Sequence, residues 1–195
     1  CRAQCSFCSV RYFNGKGVFT RSVKNVVDEM EFLRDTYGVT HFMFLDDDLL
    51  YDPLRTMELF NEMVRRNLHI TWDATNGIIA SAVNEENAQA MAESGCIGLS
   101  FGVESGSERI LRSVKKPSGV KHFYRCMEIL RNYPQIFTKA LLICGFINET
   151  INEMHQTVEL AVNAGFDWGT LQVLNFIPGI PETKTALEMG LINHS

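Results

Sequence analysis

Two hydrophobic patterns alternate along the chain. Val23, Val26, Val27, Met30 and Leu33 recur at helical spacing between a capping Ser22 and a closing Gly38, which predicts an amphipathic helix. The apolar run from His41 to Leu45 predicts a buried strand closed by Asp46, Asp47 and Asp48. Asp52 and Pro53 form a cap and first-turn pair for the next helix, with Leu54, Met57, Phe60 and Val64 inward, and a short strand follows near His69 to Asp73. Asn84 opens a helix that ends at Gly95, and Ile97 to Phe101 reads as the next strand. A longer helical segment breaks at Pro117 and resumes from Val120 to Asn132. Thr138 to Cys144 is the most hydrophobic strand, Glu149 to Ala164 a helix stopped by Gly165, and Thr170 to Asn175 the last strand. A final helix runs from about Pro181 to Met189.

Every connection between these strands is long enough to hold a crossover helix, so parallel β/α units are expected, in a doubly wound sheet or a barrel. Polar positions favour the barrel. Asp46, Asp47, Glu104, Ser105, Gly145 and Asn175 all fall at or just past the C-terminal ends of strands, where β/α barrels carry their active sites. No linker or low-complexity tract interrupts the pattern, so residues 1–195 are expected to form one domain.

Composition narrows the class. With 195 residues, 46% hydrophobic and 21% charged, the chain reads as a soluble globular domain whose core needs no metal or disulfide merely to fold. A net charge of -5 and the lack of a Lys/Arg-rich block argue against coating nucleic acid or a membrane surface. The pairs Lys115-Lys116 and Arg65-Arg66 read as solvated helix faces. No apolar stretch reaches the roughly 20 residues that span a bilayer, and no signal-peptide pattern is present, so a cytoplasmic, reducing setting is expected. The first residue is not Met, which predicts a piece of a longer reading frame.

Of the six cysteines, Cys96, Cys126 and Cys144 lie in apolar segments and read as small core residues. Cys1, Cys5 and Cys8 instead form a C-x-x-x-C-x-x-C cluster that can aim three thiolates at one metal centre. Three clustered thiols cannot all pair internally as disulfides. Structural zinc wants four ligands, and no complementary pair is visible; His41, His69, His122 and His155 have no metal-ligand spacing. Three cysteines on a four-iron cluster would leave one iron without a protein ligand, open for chemistry.

With Phe7 before the third cysteine, this segment resembles the C-x-x-x-C-x-aromatic-C signature of the radical S-adenosylmethionine (radical SAM) enzymes. Arg21-Ser22, Phe44-Leu45-Asp46-Asp47 and Gly102-Val103-Glu104-Ser105-Gly106 resemble segments of the cobalamin-associated branch of that family. Gly145 to Thr150 resembles its Gly-x-Pro-x-Glu-Thr segment with Ile147 in place of proline, and Pro178 to Thr183 its Pro-x-Pro-Gly-Thr segment with Glu182 in place of glycine.

The resemblance implies a partial (β/α)6 TIM-like barrel whose first strand would precede residue 1. It further implies a [4Fe-4S] cluster held by Cys1, Cys5 and Cys8, with S-adenosylmethionine chelating the fourth iron and cleaved by one-electron reduction to a 5'-deoxyadenosyl radical. Phe7, Asp46, Asp47, Glu104, Ser105, Gly145 and Asn175 would contact that cofactor; the carboxylates Asp46 and Asp47 require a cationic partner if buried. Methyl transfer or related carbon chemistry on an organic substrate is implied, with a reductant such as flavodoxin or ferredoxin and possible use of cobalamin from a domain outside these residues. An iron–sulfur electron-transfer module and a zinc-binding module are the competing readings.

Overall fold

The computed structural model describes residues 1–193. Five parallel strands form one sheet in sequential order: β1 (His41–Phe44), β2 (Thr71–Ile78), β3 (Cys96–Glu104), β4 (Phe137–Cys144) and β5 (Trp168–Val173). Helices fill each crossover: α3 (Pro53–Arg65), α4 (Glu85–Glu93), the pair α5 (Glu108–Ser113) and α6 (Val120–Leu130), and α7 (Ile151–Ala164). A short α1 (Val10–Phe13) and a long α2 (Val23–Tyr37) precede β1, and α8 (Pro181–Glu188) follows β5. Strands β1 and β5 do not pair with each other, so the described residues form an open barrel.

The helix boundaries follow their caps. Ser22, Asp52, Asn84 and Thr150 each accept a hydrogen bond from a backbone N–H of the first turn, and Gly38 and Gly165 take left-handed conformations where α2 and α7 stop. Strand boundaries differ more from expectation. β2 begins two residues later than the sequence reading and extends to Ile78, because its second half, Ala-Thr-Asn-Gly, has no apolar signature. β3 continues through Glu104 rather than stopping at Phe101. β5 runs from Trp168 and leaves Asn175 beyond its end.

The core lies between the sheet and its helices. Trp72 stacks on Phe60 with ring centroids 5.1 Å apart and meets Phe44 edge-on, also at 5.1 Å. The indole N–H is satisfied by the Ser94 hydroxyl at 3.1 Å, so the ring is buried without an orphaned donor. Helix α3 buries Thr56, Leu59, Phe60 and Met63 rather than the expected Leu54 and Val64; Leu54 is 84% exposed. Apolar residues cover more than half the circumference of α3, so periodicity alone did not select the facing stripe. The expected burial of β1 is also corrected: it is an edge strand, with His41 and Met43 exposed and Phe42 and Phe44 packed against the core.

Candidate functional site

The cysteine loop lies across the C-terminal ends of the central strands. Cys1, Cys5, Phe7 and Cys8 line a cavity together with Asn76 and Gly77 of β2, Gly102 and Glu104 of β3, and Leu141 of β4. Val10, Ile79 and Pro117 add apolar walls, and Asp47 and Lys116 reach the same space. A β/α sheet directs these groups to one face because each strand ends there and its following loop must turn back into a helix.

Two local distortions aim the polar groups. The β2–β3 and β3–β4 registers both shift near the cavity, between Ala74 and Ile78 and between Gly102 and Glu104. Glu104 itself adopts φ 63°, a left-handed conformation that costs energy for a residue with a side chain. The turn brings its carboxylate to Lys116 Nζ at 2.7 Å, both side chains being nearly buried. Gly102 leaves the room for this pair. A Cβ there would stand 2.6 Å from Glu104 Oε1 and 2.7 Å from Lys116 Nζ. The Lys115-Lys116 pair is expected on a solvated face. The structure corrects this, because α5 ends at Ser113 and the following left-handed Lys115 turns Lys116 inward.

The loop is braced at several points. Ser6 N donates to Val114 O at 3.1 Å, and Cys8 N closes a turn on Cys5 O at 3.2 Å. Arg11 donates to Ala3 O at 3.1 Å. Phe7 packs edge-on against Phe146 at 5.5 Å, within a small apolar cluster containing Ile110, Val114 and Leu174. Cys1, Cys5 and Cys8 are half-buried and free. Burial pushes the Cys5 thiol up; the Lys116 charge pulls it down, while Cys8 and Glu104 add to the rise.

The strand-end aspartates divide the work differently from expectation. Asp46 is exposed, with its carboxyl pushed up by partial desolvation against the opposing charge of Arg55. Asp47 reaches the cavity and accepts from Asn14 Nδ2 at 2.7 Å. The buried member is Asp48, which accepts from the Arg2 backbone at 3.0 Å and pairs with its guanidinium at 3.3 Å, tying the cysteine loop to the end of β1. The sequence pattern marks Asp48 only as the end of a strand, although its cationic partner Arg2 stands beside the first cysteine.

Ser105, Gly145 and Asn175 do not line the cavity. Ser105 is fully buried and accepts from Ser107 N at 3.1 Å, with its hydroxyl 3.3 Å from Thr157. Gly145 has φ 86° and donates to Glu149 Oε2 at 2.6 Å. Asn175 is exposed. Two acids that sequence reading passed over organise this flank. Glu149 also accepts from Phe146 N at 3.1 Å, and desolvation pushes its carboxyl up. Glu153 accepts from Arg109 at 2.6 Å, Thr150 N at 2.9 Å and Ser107 at 2.7 Å, which together hold it well below the usual carboxylate range. A capping-box pattern, Thr150 with Glu153 three residues on, was the available signal.

The donor set suits a cluster better than a single ion. Among the described residues no three His, Cys, Asp or Glu side chains are grouped closely enough to share one metal ion. A four-iron cluster sets its thiolates on separate irons, so they need not converge. Cys96 and Cys126 are deeply buried with thiols pushed up to about 12, and Cys144, expected in the core, is half-buried. None of the three lines the cavity, so it presents three thiols and no fourth.

Comparison with known proteins agrees with this geometry. The model of the radical SAM superfamily matches residues 1–161. Cytidylyl-2-hydroxyethylphosphonate methyltransferase of Streptomyces wedmorensis is 30% identical over 199 residues, spanning 99% of this chain and 37% of that protein. Anaerobic magnesium-protoporphyrin IX monomethyl ester cyclase of Rubrivivax gelatinosus is 27% identical over 161 residues, spanning 83% of this chain and 29% of that protein. The chain thus corresponds to well under half of these relatives. The solved radical S-adenosylmethionine methyltransferase TsrM from Kitasatospora setae, with cobalamin and a [4Fe-4S] cluster bound, has the same fold, with a TM-score of 0.84 at 21% identity over 97% of this chain and 38% of that one. An open parallel β/α barrel, a three-cysteine loop over its strand ends and a family match across most of the sequence lead to one conclusion: the chain belongs to the radical SAM superfamily.

Proposed function

We propose that residues 1–195 form one radical SAM core domain, in which Cys1, Cys5 and Cys8 hold a [4Fe-4S] cluster and the adjoining cavity holds S-adenosylmethionine. The observation that carries this reading is the meeting of three free thiols with the Glu104–Lys116 pair around a single cavity. When bound, the cluster and S-adenosylmethionine supply one-electron reductive chemistry on a carbon–sulfur bond. The chain's own residues bind, orient and shield.

Glu104 offers carboxylate oxygens suited to ribose hydroxyls or to an ammonium group. Lys116 supplies a compact positive charge for a carboxylate. The pair is therefore complementary to the zwitterionic end of an amino acid, each member exchanging its present partner for one on the ligand. Gly77 and Gly102 remove side chains where a ligand must approach the backbone. Phe7, Val10, Ile79 and Leu141 give the cavity apolar walls that limit water. Asp47 lines the same space and is a further contact, while Asp46 lies at its margin in a neighbouring depression shared with Cys1. Ser105 and Gly145 act from behind it, fixing the backbone that follows β3 and β4. Asn175 would meet the cofactor only through a contact that forms on binding.

The reaction served is methyl transfer or a related carbon-centred reaction on an organic substrate, supported by the methyltransferase and cyclase relatives. Cobalamin, bound in the TsrM structure, would be carried by a part of the protein outside these residues. A small redox protein such as flavodoxin or ferredoxin would deliver the electron. The six free thiols fit a reducing cytoplasm, and among the described residues no helix is long and apolar enough to cross a membrane. Anaerobic reconstitution tests the reading: four irons and four sulfides per chain are expected, with loss of both when any of Cys1, Cys5 or Cys8 becomes Ser. Retention of a full cluster by those variants would refute the assignment.

A further inference from the structure

The structure gives the Glu182 carboxylate a specific task. It lies in the first turn of α8 with only 9% of its surface exposed. Among the described residues it makes no ion pair. Its side chain instead meets the cysteine loop: Ser6 Oγ donates to Glu182 Oε2 at 2.6 Å. The backbone returns the contact, with Glu182 N donating to Ser6 O at 3.2 Å. Ser6 lies between Cys5 and Phe7, so this two-way tie grips the loop inside its second cysteine interval.

The grip is anchored at both ends. On the loop side, Ser6 N is held by Val114 O at 3.1 Å. On the helix side, Thr183 Oγ1 donates to Ile177 O at 2.6 Å, and Ile180 is buried immediately before the helix. A carboxylate at the start of a helix is favoured by the unpaired N–H groups there, which offsets part of the cost of burying it. A charged acceptor also forms the stronger class of hydrogen bond. Ser6 is thereby clamped from two sides, and the turn Cys8 N to Cys5 O that spaces two of the thiols is held with it.

We propose that Glu182 is a positioning residue for the metal-binding loop, acting through Ser6 to set the placement of Cys5 and Cys8. The inference rests on the cluster assignment proposed above, and it links the last helix to the cluster through a pair of residues 176 positions apart.

The test compares wild type, Ser6→Ala, Glu182→Ala, Glu182→Gln and the double alanine variant as anaerobically reconstituted protein. The readouts are iron loss to a chelator, the electron paramagnetic resonance (EPR) spectrum of the reduced cluster and its midpoint potential. Glu182→Ala should lose iron about tenfold faster and shift the spectrum and potential, as expected for removing a buried hydrogen bond to a charged group. Ser6→Ala should do the same, and the double variant should be no worse than either single one, because both break one bond. Glu182→Gln keeps an acceptor for Ser6 and should restore much of the wild-type behaviour. Unchanged iron loss and spectrum in Glu182→Ala, or additive effects in the double variant, would overturn the inference. A wild-type protein that never assembles a four-iron cluster would instead refute the underlying assignment. Thermal unfolding of the metal-free variants separates a folding defect, which would lower all of their midpoints and overturn the specific role, from a local change at the loop.

Discussion

Trp72 and Glu104 occupy neighbouring strands of one sheet, yet their surroundings are of different kinds. Trp72 is enclosed by Phe60 and Phe44, and its one polar atom is paired. Glu104 sits in a left-handed backbone conformation beside a register shift, its charge balanced by a lysine that also faces an open cavity. The first site is held by burial and shape. The second is held by hydrogen bonds, an ion pair and bracing from the cysteine loop, and it keeps groups available that a ligand can take over. Stability resides in the layer between sheet and helices, and chemistry in the strand ends above it.

Five substitutions, and a sixth read against pH, sharpen that contrast. The largest effect is expected from Cys5→Ser, which should abolish cluster assembly, whereas Cys126→Ser should leave iron content unchanged; iron and sulfide analysis decides. Trp72→Ala should cost about 3–5 kcal/mol by opening a core cavity, measured by chemical unfolding. It should do so without changing the EPR spectrum of protein that remains folded.

Lys116→Ala is expected to cost less, about 2–3 kcal/mol, since it strands a nearly buried carboxylate that keeps a little contact with solvent. Its effect on S-adenosylmethionine binding should be larger than that of Trp72→Ala, as calorimetry on the folded proteins would show. Gly102→Ala introduces a methyl group against the two flexible ends of the ion pair. Roughly 1 kcal/mol of destabilisation is expected, with a clear loss of ligand affinity, because the pair must move but the backbone need not.

The smallest effect lies far from the site. Glu62 is held down to about 2 from an ordinary value of 4.5 by Arg65 and Arg66 on the end of α3. A carboxylate whose folded value is depressed stabilises the fold above its unfolded value, and that contribution disappears as pH falls from about 4.5 through 2. Glu62→Gln should flatten the stability profile in that window, by an amount that shrinks as salt is added because the group is solvent-screened. Unfolding midpoints at several pH values would reveal it.

How much of this was legible in the sequence depends on the kind of signal. Helix starts at Ser22, Asp52 and Asn84 are readable because caps are local chemistry, whereas the helix expected from Glu149 is capped by Thr150 and begins at Ile151. The parallel arrangement followed from connection lengths and apolar runs. β2 was cut short because Thr75, Asn76 and Gly77 break the apolar pattern, and they do so because that end of the strand serves the cavity. Cys1, Cys5, Cys8, Phe7, Asp47 and Glu104 were legible as a group and the structure gathers them around one cavity. Lys116 was not, since its role depends on a left-handed turn at Lys115 that a sequence pattern does not display. Asp48 and Glu182 were missed for the same reason: each acquires meaning only from a partner, Arg2 or Ser6, brought near by the fold.

The central claim is that the three-cysteine loop holds a cluster with one iron open to S-adenosylmethionine. EPR of the anaerobically reconstituted and reduced protein, with and without S-adenosylmethionine, tests it most directly. A reduced four-iron signal that changes on adding S-adenosylmethionine, and changes less in Lys116→Ala, is the predicted result. A four-iron signal that S-adenosylmethionine leaves untouched, or no such cluster at all, would contradict it.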